Sequence, residues 1–523
     1  MPEFALGIAV VLYLAGTVAI GLWASRRVSG AKDFMVAGRS LPLYMNFTCV
    51  FATWFGAETV LSVSATFTRD GLSGVSGDPF GASACLIIVA LFFARAFYRM
   101  DLLTIGDFYR KRYGSVVEVF TAIVITLSYL SWASAQITAL GLVLHVLGDA
   151  SLGAGALPLN TAIAVGACIV VVYTIFGGMW SVAMTDVIQT AVIVVGLIVI
   201  SFLLAGEAGG FGAVIEHARE ADKLRLFPES SAKAWFAFIG AFLTLGLGSI
   251  PQQDVFQRVT SAKDEKTAVR GTLLGGLFYF FFAFVPMFIA YSALVINPAF
   301  ESLFDSEDPR VIQRILPDLI LQSTPFWAQA LFFGSLLSAI LSTASGTLLA
   351  PSSLFTENVI RPFFPKLSDK GVLKTLRWTL LIFSIAATYN AVQSESTMYE
   401  MVENAYTVTL VGAVVPLALG IYWKRSTTQG AILSVVAGVA AWLIADNLGG
   451  EEATVPAQLY GLAASLVGMI VGSLLPQLIA SLPHIDTSQP SPHANHDGQT
   501  NHDGQTNHDG QTNHDGHTRQ AEH

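Results

Sequence analysis

The stretch "ATWFGAETVLSVSAT", residues 52–66, holds one carboxylate, Glu58, among small and apolar residues. An ionised acid at the centre of a bilayer costs about 2.5–3.5 kcal/mol on insertion scales, so Glu58 needs a task. Facing a cavity, it could bind a substrate amine or accept a hydroxyl or amide proton. Otherwise it is a neutral packing residue, or the partner of a base that the sequence does not identify. The neighbouring Gly56 and Ala57 mark a weak point in the helix. A second polar cluster, Gln252, Gln253 and Asp254, follows Gly246, Gly248 and Pro251 in "AFLTLGLGSIPQQDVFQRV". A third lies in "LLSAILSTASGTLLAPSS", where Ser342, Thr343 and Ser345 share a turn and Ala339 is one turn earlier. A hard cation such as sodium takes oxygen ligands. Two hydroxyls with carbonyls from a broken neighbouring helix would form such a cage, although hydroxyls in membrane helices also bond to their own backbone or across helices. In "GGMWSVAMTDVIQTAVIVV", Asp186 either counters a cation or caps its helix. Trp132 and Gln136 share a helix face at i, i+4.

These residues must be positioned by membrane-spanning helices. Of 523 residues, 53% are hydrophobic and 12% charged, against about 25% charged in soluble domains. Thirteen candidate spans follow: 4–24, 42–66, 79–97, 117–147, 159–178, 182–205, 234–255, 271–296, 326–356, 374–393, 398–422, 429–446 and 457–480. Cys49, Cys85 and Cys168 all fall in apolar segments and read as small core residues. The N-terminal apolar run precedes Arg26 and Arg27, as a retained first span does. With the N-terminus outside, most of the 28 basic residues, Arg258 among them, fall in cytoplasmic loops, which sets the C-terminus inside. Residues 1–480 therefore form the membrane domain. Residues 481–523, with "NHDGQT" repeated from Asn495, read as a disordered cytoplasmic tail whose histidines lack a fixed geometry for metal. No basic stripe points to nucleic acid. The expected location is the plasma (inner) membrane, multi-pass.

Interrupted spans in corresponding halves point to a transporter built from inverted repeats with its site at the midplane. Spans two and seven are five apart, so each can open a five-helix repeat. The ordered set "GAE", "GGMWSVAMTDVIQ", "QQDVFQRVTSAK" and "AILST" resembles the sodium:solute symporter family over nearly the whole chain apart from the tail. "ATWFGAE", "GSIPQQDVFQRV" and "ILPDLILQ" are most similar to its choline-transporter branch. The resemblance implies an all-α leucine-transporter fold, with core repeats at about 42–205 and 234–422. It also implies a sodium site from the carbonyls of Ala52, Phe55 and Ala339 and the hydroxyls of Ser342 and Thr343. A second sodium would use Asp186, Ser342 and Ser345, but its next hydroxyl position is Gly346 here. Trp54 and Trp132 match aromatic positions that cage a quaternary ammonium by cation–π attraction. A third aromatic position is Gln252, which leaves the cage incomplete. In sugar-carrying members the position of Glu58 contacts substrate.

The expectation is a secondary active symporter, not an enzyme, carrying a small polar organic solute such as an amino acid, choline-like amine or sugar into the cell. Sodium is the coupling ion and no other cofactor is implied. The partners are solute, sodium and bilayer, with no obligate protein partner. One charge moving down about 100 mV gains about 2.3 kcal/mol, which supports roughly forty-fold accumulation of a neutral solute. The rivals are a proton-coupled carrier, since Glu58 and Asp186 could hold protons, and a transporter-like receptor, which needs an output domain after the last span.

Overall fold

The computed structural model describes residues 2–485 apart from 154, 305, 307 and 450–452. The repeats from Asn495 onward lie outside the described residues. Within the described residues the secondary structure is helical, with an isolated bridge between Leu41 and Ala262.

Among the described residues, nine helices are long and apolar enough to cross a membrane, and three bent pairs raise the count to twelve. The shorter apolar helix Leu159–Val172 makes thirteen. In chain order they are α1 (Pro2–Ala24), α2 (Leu43–Trp54 and Glu58–Asp70), α3 (Leu72–Arg99), α4 (Ser115–Leu152) and α5 (Leu159–Val172). Next come α6 (Thr174–Glu207), α7 (Ala232–Gly248 and Gln253–Thr260), α8 (Glu265–Ile296) and α9 (Phe326–Phe363). The last four are α10 (Asp369–Gln393), α11 (Met398–Gly412 and Val414–Tyr422), α12 (Thr428–Gly449) and α13 (Ala457–Leu474). The α5–α6 run kinks at Gly178, whose φ of 49° suits a residue without a Cβ.

The bends lie where local chemistry stops a helix. In α2 the halves meet at 54°, and Phe55 leaves helical geometry just before Gly56 and Ala57. In α7 the halves meet at 46° around Pro251, which lacks an N–H and biases the preceding residue away from the helix. A third bend, also 46°, falls at Ala413 in α11, where the sequence predicts one uninterrupted span. The Tyr109 hydroxyl donates to the Ala413 carbonyl at 2.9 Å, and Tyr113 donates to Pro416 at 2.8 Å. Freed carbonyls at this bend thus find partners within the protein, as burial requires.

α9 runs through the middle, buried from Phe332 to Leu354 apart from Gly334, and packs against α4 and α6. α12 and α13 pack together and expose most of their surface, as lipid-facing helices do. Two expectations need correcting. Arg258 is not in a loop: it lies on the second half of α7, 2% exposed, because the break lengthens that span to Thr260. Cys168 is exposed on the outer face of α5 rather than in the core. An apolar helix turned to lipid can carry a thiol there at little cost.

Candidate functional site

The broken helices α2 and α7 deliver backbone and side-chain groups to the α4, α9 and α11 faces. The end of the first half of α2 leaves the Ala52 carbonyl facing α9. Ser342 Oγ lies 3.1 Å from it and Thr343 Oγ1 3.2 Å. Ser342 Oγ is also 2.6 Å from Asp186 Oδ1. A hydroxyl carries one proton, so Ser342 cannot donate to both acceptors. Three chain segments therefore converge on an oxygen-rich point with fewer protons than acceptors, a donor set suited to a hard cation. Ala339 is fully buried one turn earlier on α9. Phe55 sits at the α2 break, with its ring against Phe51, Phe282 and Tyr279. Asp186 is more than two turns past the Gly178 kink, so it does not cap that helix. Its Oδ2 has no partner. Ser345 bonds back to the Ser342 carbonyl at 2.8 Å.

On the other side of the α2 break, Glu58 is 3% exposed. Its carboxylate accepts from Trp132 Nε1 at 3.3 Å and from Gln136 Nε2 at 2.5 Å. Gln136 Oε1 in turn accepts the Ala57 N–H at 3.2 Å, a backbone donor next to the break. The i, i+4 pair on α4 thus satisfies the break and holds the acid in one arrangement. A Cβ at Gly56 would overlap the Glu58 carboxylate, so a larger residue there would force that side chain to shift.

Aromatic rings cover this acid. Trp54 and Trp132 are 6.4 Å apart between centroids. Tyr406, from α11, lies 5.7 Å from Trp54 and 5.4 Å from Trp132. Tyr129 stacks on Trp132 at 5.8 Å and hydrogen-bonds the Asp254 carboxylate. Gln252 does not reach toward Glu58. Its amide donates to Ser128 at 3.1 Å and to Thr409 at 3.3 Å, and its Oε1 has no partner. Tyr406 brings a further ring against Trp54 and Trp132, which sequence reasoning did not find. An aromatic residue within an apolar span reads as core, and no local spacing ties α11 to α2. Asp78 was also missed: Tyr279 donates to it at 2.5 Å and Thr59 at 3.2 Å, one residue after Glu58. The Asp-Pro pair at 78–79 was its available signal.

The family description "Sodium:solute symporter family" matches residues 34–438. The chain is 28% identical to the human high affinity choline transporter 1 over 455 residues, covering 83% of this chain and 75% of that one. It is 24% identical to the osmoregulated proline transporter of Bacillus subtilis over 481 residues, covering 90% and 94%. A solved structure of a Na+-coupled sialic acid symporter in a substrate-bound outward-open state superposes with a TM-score of 0.75, at 19% identity, covering 93% of this chain and 99% of that one. The fold is of the leucine-transporter type.

Proposed function

Because the chain belongs to the sodium:solute symporter family, whose members couple a small solute to sodium across a membrane, we propose that it imports an organic cation, an ammonium or amine of small size. The observation that supports this reading is Glu58. It is a buried carboxylate with no basic group within ion-pair distance among the described residues, held by Trp132 and Gln136 at the edge of the Trp54, Trp132 and Tyr406 rings. An uncompensated acid favours a cation, and aromatic faces favour the same charge. The proposed sodium site takes the carbonyls of Ala52, Phe55 and Ala339 and the hydroxyls of Ser342 and Thr343; its support is the Ala52 carbonyl, which lies within hydrogen-bond distance of both hydroxyls. The shared α2 break couples the two sites, since Ala52 is on one side of it and Glu58 on the other. The N-terminus is outside, the C-terminus cytoplasmic, and the location the plasma membrane.

Uptake into proteoliposomes tests the reading. Labelled choline, an amino acid and a hexose are compared under an inward sodium gradient, with a proton gradient as the alternative drive. Sodium-driven uptake of the ammonium compound supports the proposal. Sodium-driven uptake of hexose alone, or drive by protons alone, overturns it.

A further inference from the structure

One face of α10 changes character along its length. Lys370, Lys374 and Arg377 stand at i, i+4 and i+7, and Leu381, Ser384 and Thr388 continue the same stripe. The second part of the stripe forms one wall of a surface groove of about 420 Å³, and Cys168 and Val172 of α5 lie on the other. The Thr388 hydroxyl donates to the Ser384 carbonyl at 2.7 Å, which keeps that wall apolar. One turn past the groove, on both walls, the chemistry reverses. Arg377 precedes Leu381 by four residues and Phe176 follows Val172 by four. The Arg377 Cζ lies 5.8 Å from the centre of the Phe176 ring, so the guanidinium stands at the mouth of the groove. Arg377 Nε is buried without a hydrogen-bond partner, and none of the three cations forms an ion pair among the described residues. The acid beside them, Asp369, is turned to the Ala31 N–H at 3.3 Å. The adjacent Trp378 is 56% exposed, and tryptophan favours the depth of the lipid headgroups.

A guanidinium partly withdrawn from water is costly without an anion, and its planar fork matches a phosphate in a two-point contact. Basic pockets between membrane helices hold anionic headgroups in this way. From Leu381 to Val392 the apolar wall rises roughly 16 Å at 1.5 Å per residue, close to the ~15 Å depth of one leaflet of the hydrocarbon core. The groove therefore fits an acyl chain along its length, while the cations meet a phosphate at its end. We propose that the α5–α10 groove is a binding site for one anionic phospholipid. Arg377 and Lys374 hold its phosphate, and one acyl chain lies against Cys168 and Thr388. The site shares no residue with the solute and sodium sites, and the inference holds whichever solute is carried.

Native mass spectrometry of the purified, delipidated full chain tests this, with phosphatidylglycerol and phosphatidylcholine of identical acyl chains as probes. One phosphatidylglycerol is expected to bind at least about five-fold more tightly than phosphatidylcholine, since each basic group near an anionic headgroup contributes about 1 kcal/mol. Arg377→Gln should bring the two lipids to similar affinity, and Lys374→Gln should narrow the difference. Cys168→Phe fills the exposed side of the groove and should weaken phosphatidylglycerol binding with every charge retained. Lys424→Gln, which removes a charge from the α11–α12 connection, should leave the preference unchanged. A phosphatidylglycerol with a photoreactive group midway along one acyl chain should cross-link within 164–172 or 381–392. Equal binding of the two lipids by the unaltered chain, a preference that survives both Arg377→Gln and Lys374→Gln, or cross-links confined to other helices overturns the proposal. A lipid-free dimer joined through the Cys168 face gives the groove to a second copy of the chain, and overturns it as well.

Discussion

At the scale of single residues, the site is defined by polar atoms that the fold leaves short of partners. Thr343 contributes one oxygen near the Ala52 carbonyl at 3.2 Å, and its methyl group remains if that oxygen alone is removed. Thr343→Val therefore keeps the shape and tests the oxygen. An unsatisfied buried polar contact costs about 1–3 kcal/mol, so apparent sodium affinity should fall roughly tenfold or more. The shift in melting temperature that sodium produces reports this directly, because a ligand of the folded state stabilises it according to its affinity. An unchanged sodium titration would place the ion elsewhere. Glu58→Gln makes the complementary prediction. The amide keeps the volume near Trp132 and Gln136 but removes the charge, so ammonium uptake should be lost while stabilisation by sodium persists. Loss of the sodium response with solute affinity preserved would move Glu58 from the solute site to the ion site. The residue types at these points were legible in the sequence because serine, threonine and acids are conspicuous in apolar helices. Tyr406 and Arg258 were not. Their positions depend on which helices meet, and the break in α7 brings Arg258 into the interior although the sequence pattern set it in a basic loop.

At the scale of elements, the positions of the helices depend on glycines that admit a neighbouring backbone. A Cβ at Gly248 would overlap the Tyr406 carbonyl and lie 3.1 Å from Leu410 Cβ. Thr409 Oγ1 donates to the Gly248 carbonyl at 2.6 Å, so α7 and α11 touch at this point. Gly248→Ala should push α11 away, disturb Tyr406 and reduce solute uptake at least several-fold. Gly16 is the control: nothing lies within 4 Å of its added Cβ on the exposed face of α1, and Gly16→Ala should leave uptake unchanged. Equal loss in both variants would mean that a general effect of helix substitution, not this close approach, is responsible. The bends in α2 and α7 could be read from the chain because their breakers stand inside the turn that fails. The α11 bend could not, since the sequence there shows Gly412 and Pro416 on either side of the site, as an unbroken membrane helix often does. What stabilises that bend is Tyr109, about 300 residues away in the chain. The expected end of the fifth span at 178 falls on the Gly178 kink, several residues beyond the end of α5 at Val172.

At the scale of the whole molecule, a polar cluster joins three chain segments at one end of the bundle. Thr104 caps the short helix Ile105–Tyr113 through a reciprocal contact with Asp107. The Asn358 side chain, fully buried near the end of α9, accepts from Thr104 Oγ1 at 2.6 Å and donates to Glu118 at 2.8 Å and Asp107 at 3.1 Å. Gln253 Oε1, at the start of the second half of α7, accepts the Ile105 N–H at 2.8 Å. Arg110 lies 3.2 Å from Asp107 and 3.6 Å from Glu118. The same short helix carries Arg112, whose burial lowers its pKa from the usual arginine value and whose guanidinium donates to the carbonyls of Gly420, Ser426 and Leu482. At the end of the bundle rich in basic residues, one amide is thus shared among three chain segments. At the other end, a polar cleft is lined by Ser62, Thr66, Asp70, Tyr399, Glu400 and Glu403. A two-state protein shifts when one state loses a contact that the other lacks. Asn358→Ala leaves Glu118 with Arg110 as its remaining partner among these groups, while Asp107 keeps Arg110 and the Thr104 N–H, and the segments lose their common acceptor and donor. Amide hydrogen exchange measures the consequence locally. Exchange across residues 103–113 should accelerate about five-fold or more in Asn358→Ala, on the order of 1 kcal/mol or more of local stability, with α12 and α13 unaffected. Uniform acceleration across all helices would mean general destabilisation, and unchanged exchange in 103–113 would show that Asn358 does not hold these segments together.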